Sequence, residues 1–302
     1  MTAPHCYKEA KALNKEELQA LVAQMLNELH APEPKPAAHK TPEADSSILP
    51  DIAAIDLRQQ YLVEHPHDAR AFLALKQKTP ARIGLGRAGT RYKTETLLRF
   101  RADHAAAQDS VFSLVDESFY KNNGLVFVKT ECRSKDEYLT RPDLGRRFDA
   151  ENQEIIKKTC AGQRVLLLIG DGLSSAAIEA NALDCAASIR QGLKANGIEV
   201  GPSLFIQFCR VGAGDHIGDL TGCELVCLLV GERPGLVTNE SMSAYLTYKP
   251  HRGISESKRT VVSNIHRQGV PAVEAGAHIA ALIGRILRQK ASGIDLVQEG
   301  NS

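Results

Sequence analysis

Apolar residues fall along the C-terminal half of this chain in unbroken runs, separated by stretches with helical spacing. "RVLLLIG" (164–170), "SLFIQFC" (203–209) and "CELVCLLVG" (223–231) are short and almost uniformly apolar. Runs of that kind mark strands buried on both faces. Between them, "SSAAIEANALDCAASIRQGLKANG" reads as a helix capped near Ser174 or Ser175 and stopped at Gly197, and "AGDHIGDLTG" as a shorter one. "SAYLTYKP" and "TVVSNIH" predict two further strands, and "PAVEAGAHIAALIGRILRQKA" a closing helix with Pro271 at its first position. Strands alternating with helices predict an α/β domain over 161–302, a Rossmann-like, mainly parallel sheet covered on both faces.

Upstream the rhythm changes. Residues 48–160 predict a mostly helical region with charged, irregular connections. Asp68 is placed to cap a helix in "DARAFLALKQKT", which spaces Phe72, Leu73 and Leu75 as a partial face. "KTETLLRFRADHAAA" predicts a second helix and "GLVFVK" a short strand near Val126. Cations crowd the loops: Arg82, Arg87, Arg91 and Lys93, then Arg133, Arg141, Arg146 and Arg147.

Residues 1–47 form a third region. In "NKEELQALVAQMLNELH", Asn14 and Glu17 make a capping-box pair, and Leu18, Leu21, Val22, Met25 and Leu29 make one apolar stripe. "APEPKPAAHKTPEADSS" then reads as a disordered linker. A helix on such a tether either docks on the body of its own chain or lays its stripe into a groove of another protein. The length of the linker favours the second.

Composition narrows the function classes. A net charge of +1 argues against a general nucleic-acid or membrane-surface binder. No apolar run approaches the ~20 residues of a membrane helix, and charged residues interrupt the N-terminus where a secretory signal would be apolar. The expected setting is intracellular. Seven cysteines, an odd number at scattered spacings with no C-x-x-C, predict neither a disulfide framework nor a zinc site. They read as small buried hydrophobes.

"RIGLGRAGTRYKTETLLRF" contains Gly84-x-Gly86-x-x-Gly89, the spacing of a dinucleotide-binding turn. That turn needs a strand before its first glycine. Here "KQKTPARI" precedes it, with Pro80 four residues back and no apolar run, so the NAD reading falls. The glycines are left as a bare loop among Arg87, Arg91 and Lys93, either an anion or partner contact or a tight turn with solvated arginines. In an α/β sheet, ligands sit outside the carboxyl ends of the strands. That edge comprises "IGDGLSS", "CRVGAGD", "VGERPGLV" and "VSNIH", and predicts a wide polar rim carrying Asp171, Asp215, Glu232 and Arg233. No G-x-S-x-G elbow is present. His216 and His266 stand near the rim without a metal-ligand partner at helical spacing, and read as surface or capping histidines. The result is a binding edge with no nucleophile–base pair.

Eight stretches carry a resemblance: "GRAGTR", "TLLRFRADHAAAQDSV", "YLTRPDLGRR", "DGLSS", "LLVGERPGL", "SNIHRQG", "PAVEA" and "QKASGI". In sequence and in order, from about Arg82 to Ile294, the chain resembles the small subunits of ethanolamine ammonia-lyase. The resemblance implies adenosylcobalamin as cofactor, shared base-on with a large subunit. That subunit, a TIM barrel, holds ethanolamine and carries the radical chemistry that yields acetaldehyde and ammonia. The small subunit would close the cobalamin site with its α/β domain. Carried over residue by residue, the cofactor contacts are Val211 in "CRVGAGD", Glu232 in "GERPG" and Val261 in "KRTVVSN", the last where relatives can carry cysteine, beside a shorter loop near Gly253. The Asp-x-His-x-x-Gly motif that presents histidine to cobalt is absent, since Gly214 stands where its aspartate belongs. The arginine-rich loops of 48–160 would meet the large subunit. The N-terminal helix resembles tags that bind microcompartment shell proteins, which implies a cytoplasmic enzyme inside a bacterial microcompartment. Two rivals stay open, a scaffold subunit without cofactor contacts and a nucleotide-binding oxidoreductase.

Overall fold

The computed structural model describes Ile52 and residues 55–296. The amphipathic helix and linker expected over 1–47 lie outside the described residues. The described part opens with α1 (Ala69–Lys76), capped by Asp68, whose carboxylate accepts from the Ala71 N–H. A two-residue hairpin follows, β1 (Arg87–Ala88) against β2 (Arg91–Tyr92), and then α2 (Thr94–Phe112) and α3 (Glu117–Asn122). The main sheet starts with β3 (Val126–Lys129). After it come α4 (Lys135–Thr140), α5 (Ala150–Thr159), β4 (Val165–Gly170), α6 (Ser175–Ala195), β5 (Leu204–Gln207), α7 (Ala213–Thr221) and β6 (Leu225–Gly231). A hairpin of β7 (Met242–Tyr248) and β8 (Arg259–Ile265) and a long α8 (Ala272–Gln289) complete it.

Six strands make one sheet in the order β3-β5-β4-β6-β7-β8. The first four are parallel, and β7 and β8 are antiparallel to their neighbours. The sheet is therefore mixed and mostly parallel. β3, from the region read as mostly helical, is its edge strand. In β4 and β6 every residue is buried, as two covered faces require.

The two faces have separate cores. Leu167, Ile169, Cys227 and Leu229 point to α6 and α8, packing with Ile178, Ile189, Ile279 and Ile283. Leu166, Leu168, Val226 and Leu228 point the other way, to α5 and α7, packing with Ile156 and Ile217. Helix α6 starts where Ser174 accepts from the Ala177 N–H, one of the two caps expected from sequence. Pro271 stands one residue earlier than expected, at the N-cap of α8, with extended backbone. Proline has no N–H, and in either position an N–H would have had no helical partner.

The glycines of the fingerprint do not join a strand to a helix. Gly84 has φ +73° in the segment before the hairpin, where its carbonyl accepts from the Leu62 N–H, and Gly89 has φ +62° in the β1–β2 turn itself.

Candidate functional site

The connections out of β4 and β5 leave on opposite faces, to α6 and to α7, and between their carboxyl ends such a sheet offers a crevice for a ligand. Here the chain fills that crevice itself. Lys135 of α4 is buried and its ammonium donates to the Gly172 carbonyl at 3.1 Å and to the Ser113 carbonyl at 3.3 Å. Tyr138, one turn on, donates its hydroxyl to the Cys209 carbonyl at 3.1 Å. Its ring stacks on Phe208 with centroids 6.0 Å apart, and the Arg210 guanidinium lies over the ring, 4.3 Å from its centroid. Phe208 takes φ +58° to turn out of β5.

The expected polar rim is altered by the same packing. Asp171 is buried, accepting from the Ser175 hydroxyl at 2.8 Å. Burial raises its pKa, against the pull of the Lys135 charge. Asp215 on α7 is buried as well, in a two-pronged pair with Arg259 of β8 at 2.7 and 2.8 Å. Neither carboxylate faces a ligand. Of the three rim carboxylates, Glu232 alone keeps a partly exposed position, and Arg233 beside it is exposed. Both histidines are tied to loops. His216 accepts from the Phe148 N–H at Nδ1, and burial lowers its pKa. His266 accepts from Gln268 at Nδ1, which leaves Nε2 to donate to the Asn264 side chain at 2.8 Å. Among the described residues no group of three His, Cys, Asp or Glu side chains could hold a metal.

What remains open is the flank of the sheet rather than its end. On the α5/α7 side of the β7–β8 hairpin, α7 reaches across to Arg259 through Asp215. Further along, Tyr245 is half-buried and Val261 is 46% exposed. They are cross-strand partners, in a row that continues through Leu228 and Leu168. Glu232 leaves β6 beside them, its N–H donating to Ser241 and its Oε1 accepting the Tyr245 hydroxyl at 3.1 Å. Burial, and then the Glu232 charge, push the Tyr245 hydroxyl up to about 12, so it remains a donor. Oε2 has no partner among the described residues. Ser243, two residues earlier on the same face of β7, is buried, and its hydroxyl has no partner among the described residues. Glu232 and Val261 thus meet through Tyr245. Val211, half-buried before α7, packs against the same core as Tyr245 but is joined to the other two by no described hydrogen bond.

A family model for the ethanolamine ammonia-lyase light chain (EutC) matches residues 69–297. The chain belongs to this family. The ethanolamine ammonia-lyase small subunit of Clostridioides difficile (strain 630) is 58% identical over 293 residues, covering 96% of this chain and 99% of the relative. That of Clostridium perfringens is 57% identical over 285 residues, 92% and 97% of the two chains. That of Listeria monocytogenes serotype 4a is 52% identical over 293 residues, 94% and 100%.

Within this ethanolamine ammonia-lyase light-chain framework, the residues that sequence reasoning missed are Tyr245 and the plug of Lys135 and Tyr138. Tyr245 left a faint signal in the alternation of "MSAYLTY", which puts Ser243, Tyr245 and Thr247 on one face of β7. The plug left none, because its partners lie 37 and 71 residues away in sequence.

Proposed function

We propose that this chain closes a cobalamin site against a separate large subunit, and that the two chains together convert ethanolamine to acetaldehyde and ammonia. The observation that carries this reading is the Glu232 carboxylate, oriented by Tyr245 beside an exposed valine on a sheet flank that the described residues leave uncovered. The residues fit the cofactor. Cobalamin offers a broad flat ring edged with primary amides, and a half-buried carboxylate with a free oxygen suits an amide N–H. Tyr245 spends its proton on Oε1 and leaves Oε2 for that contact. Val261 and Val211 supply apolar surface and exclude water. When bound, adenosylcobalamin supplies the radical chemistry, with protein supplying placement and a dry site. His266 has both ring nitrogens engaged within its loop and His216 has its Nδ1 engaged by the Phe148 N–H, which supports a cobalamin that keeps its own base as lower ligand.

The same reading makes the α/β half, 161–302, a Rossmann-like cofactor domain that borrows β3 as its edge. It makes 48–160 the contact region for the large subunit, which would hold the substrate. The helix in 1–47 would dock on a microcompartment shell protein, placing the enzyme in the cytoplasm inside that compartment. An oxidoreductase with a nucleotide at the strand ends is disfavoured by the Lys135–Tyr138 plug.

Co-expression with the cognate large subunit and an acetaldehyde assay test the proposal. Activity that requires both chains and adenosylcobalamin is the expected result. Full activity from the large chain alone would make this protein a scaffold and sink the reading of the flank.

A further inference from the structure

A second opening has a different character. A pocket of about 480 Å³ lies between α1, the segment after it, α2 and the β6–β7 loop. Its volume is in the range of small-molecule sites. Six cations line it, Arg58, Lys76, Lys78, Arg82, Arg99 and Arg267, against two carboxylates, Asp56 and Asp103. Both carboxylates are already engaged. Asp56 is held by Arg58 at 3.1 Å, and Asp103 by Arg82 and by Arg99, the latter at 3.0 Å. Arg82 also donates to the Leu236 carbonyl, fastening the β6–β7 loop over the pocket.

Lys76 is the informative member. It is 3% exposed, at the last turn of α1, and its ammonium donates to the Ile83 carbonyl at 3.0 Å. It makes no ion pair among the described residues. Burial lowers its pKa, as expected of an ammonium short of counter-charge. A buried lysine is expensive unless something pairs with it. The pocket wall also includes Leu85, Ala107, Leu236 and Val237, apolar surface beside the cations.

We propose that this pocket binds a phosphate monoester of about mononucleotide size, its phosphate seated against Lys76 and its uncharged part against the wall formed by Leu85 and Leu236. The excess of six cations over two carboxylates suits a group with close to two negative charges rather than one. The site shares no residue with the Glu232–Tyr245–Val261 flank, and only the assembly in which it is tested rests on the function proposed above.

Calorimetric titration of the assembled two-chain complex tests the proposal, with adenosine monophosphate, adenosine and inorganic phosphate as probes. The monophosphate should saturate at one molecule per small subunit, phosphate should compete with it, and adenosine should not bind. Lys76→Met should weaken the monophosphate by about tenfold or more, the loss of one charge-assisted hydrogen bond. Arg267→Gln, at an exposed position, should weaken it severalfold without touching the fold, and decides the matter if Lys76→Met does not assemble. Lys158→Gln on α5, outside the pocket, should leave binding unchanged. Absence of saturable binding at millimolar probe, adenosine binding as well as its monophosphate, or equal affinity in the pocket variants and the wild type would each overturn the proposal.

Discussion

Replacing Arg259 by methionine should cost this fold about 3–5 kcal/mol, because it strands a buried charge. The guanidinium is 3% exposed and its partner Asp215 8%, and two parallel bonds of 2.7 and 2.8 Å join them. Arg259 also donates to the Thr247 hydroxyl at 3.3 Å and to Glu256, but the Glu256 side chain is 71% exposed. An exposed partner of that kind contributes under about 1 kcal/mol. Most of the loss therefore comes from Asp215, left in the interior with no cation. At roughly 2–4 °C per kcal/mol for a body of this size, the melting temperature should fall by about 6–20 °C. A double-mutant cycle makes the reasoning testable. Arg259→Met and Asp215→Leu should each destabilise, and the double variant should cost less than their sum by about 2–3 kcal/mol, since the second change removes the stranded charge. Urea unfolding of the four proteins, followed by circular dichroism, measures it. Additivity within about 0.5 kcal/mol would show that the pair is not coupled and refute the argument.

Tyr245→Phe should leave assembly with the large subunit intact and weaken cobalamin by severalfold, with Glu232→Gln weakening it about tenfold, read by equilibrium binding to the complex. The pH dependence follows from the same hydroxyl. Its folded pKa, about 12, lies above the ordinary value of 10.0, so its contribution to stability is complete below about pH 10 and declines as pH rises toward 12. Tyr245→Phe should flatten that decline in alkaline unfolding curves. Gly231→Ala should fail to fold or lose most of its stability, because a Cβ there would sit 2.0 Å from the Ser174 carbonyl oxygen. Six of the seven cysteines are buried and free, and burial pushes Cys160 and Cys185 up to about 12. A thiol reagent at pH 8 should count at most one reactive cysteine in the native protein and seven after unfolding.

The strands were readable because burial on both faces leaves a local mark. "VLLLI" and "LVCLLV" cannot be half-exposed, and the structure buries every residue of β4 and β6. The Ser174 and Asp68 caps were readable for a similar reason, since a cap acts within three residues of itself. Sidedness and pairing were not. Asp171 and Asp215 stand at the strand ends where a ligand rim was expected, and nothing local shows that Lys135 and Arg259, tens of residues away, turn them inward. β3 could be read as a strand, but its place at the edge of the main sheet depends on β5, nearly eighty residues later. The positions carried over by resemblance are distributed over three connections and strands, and Tyr245, which joins two of them, is visible only once β7 and β8 are in register.

The plug at the strand ends also changes how a bound molecule would leave. From an end-on crevice a ligand can slide out along the strand axis while its protein stays still. Against a sheet flank it is walled on the far side by whatever covers that flank, and it leaves only when the cover lifts. With Lys135 and Tyr138 sealing the crevice, the described residues leave a ligand of this sheet the flank rather than the strand ends. On the function proposed above, loss of cofactor and separation from the partner chain would then be one event, and a spent cofactor would be replaced only by opening the complex.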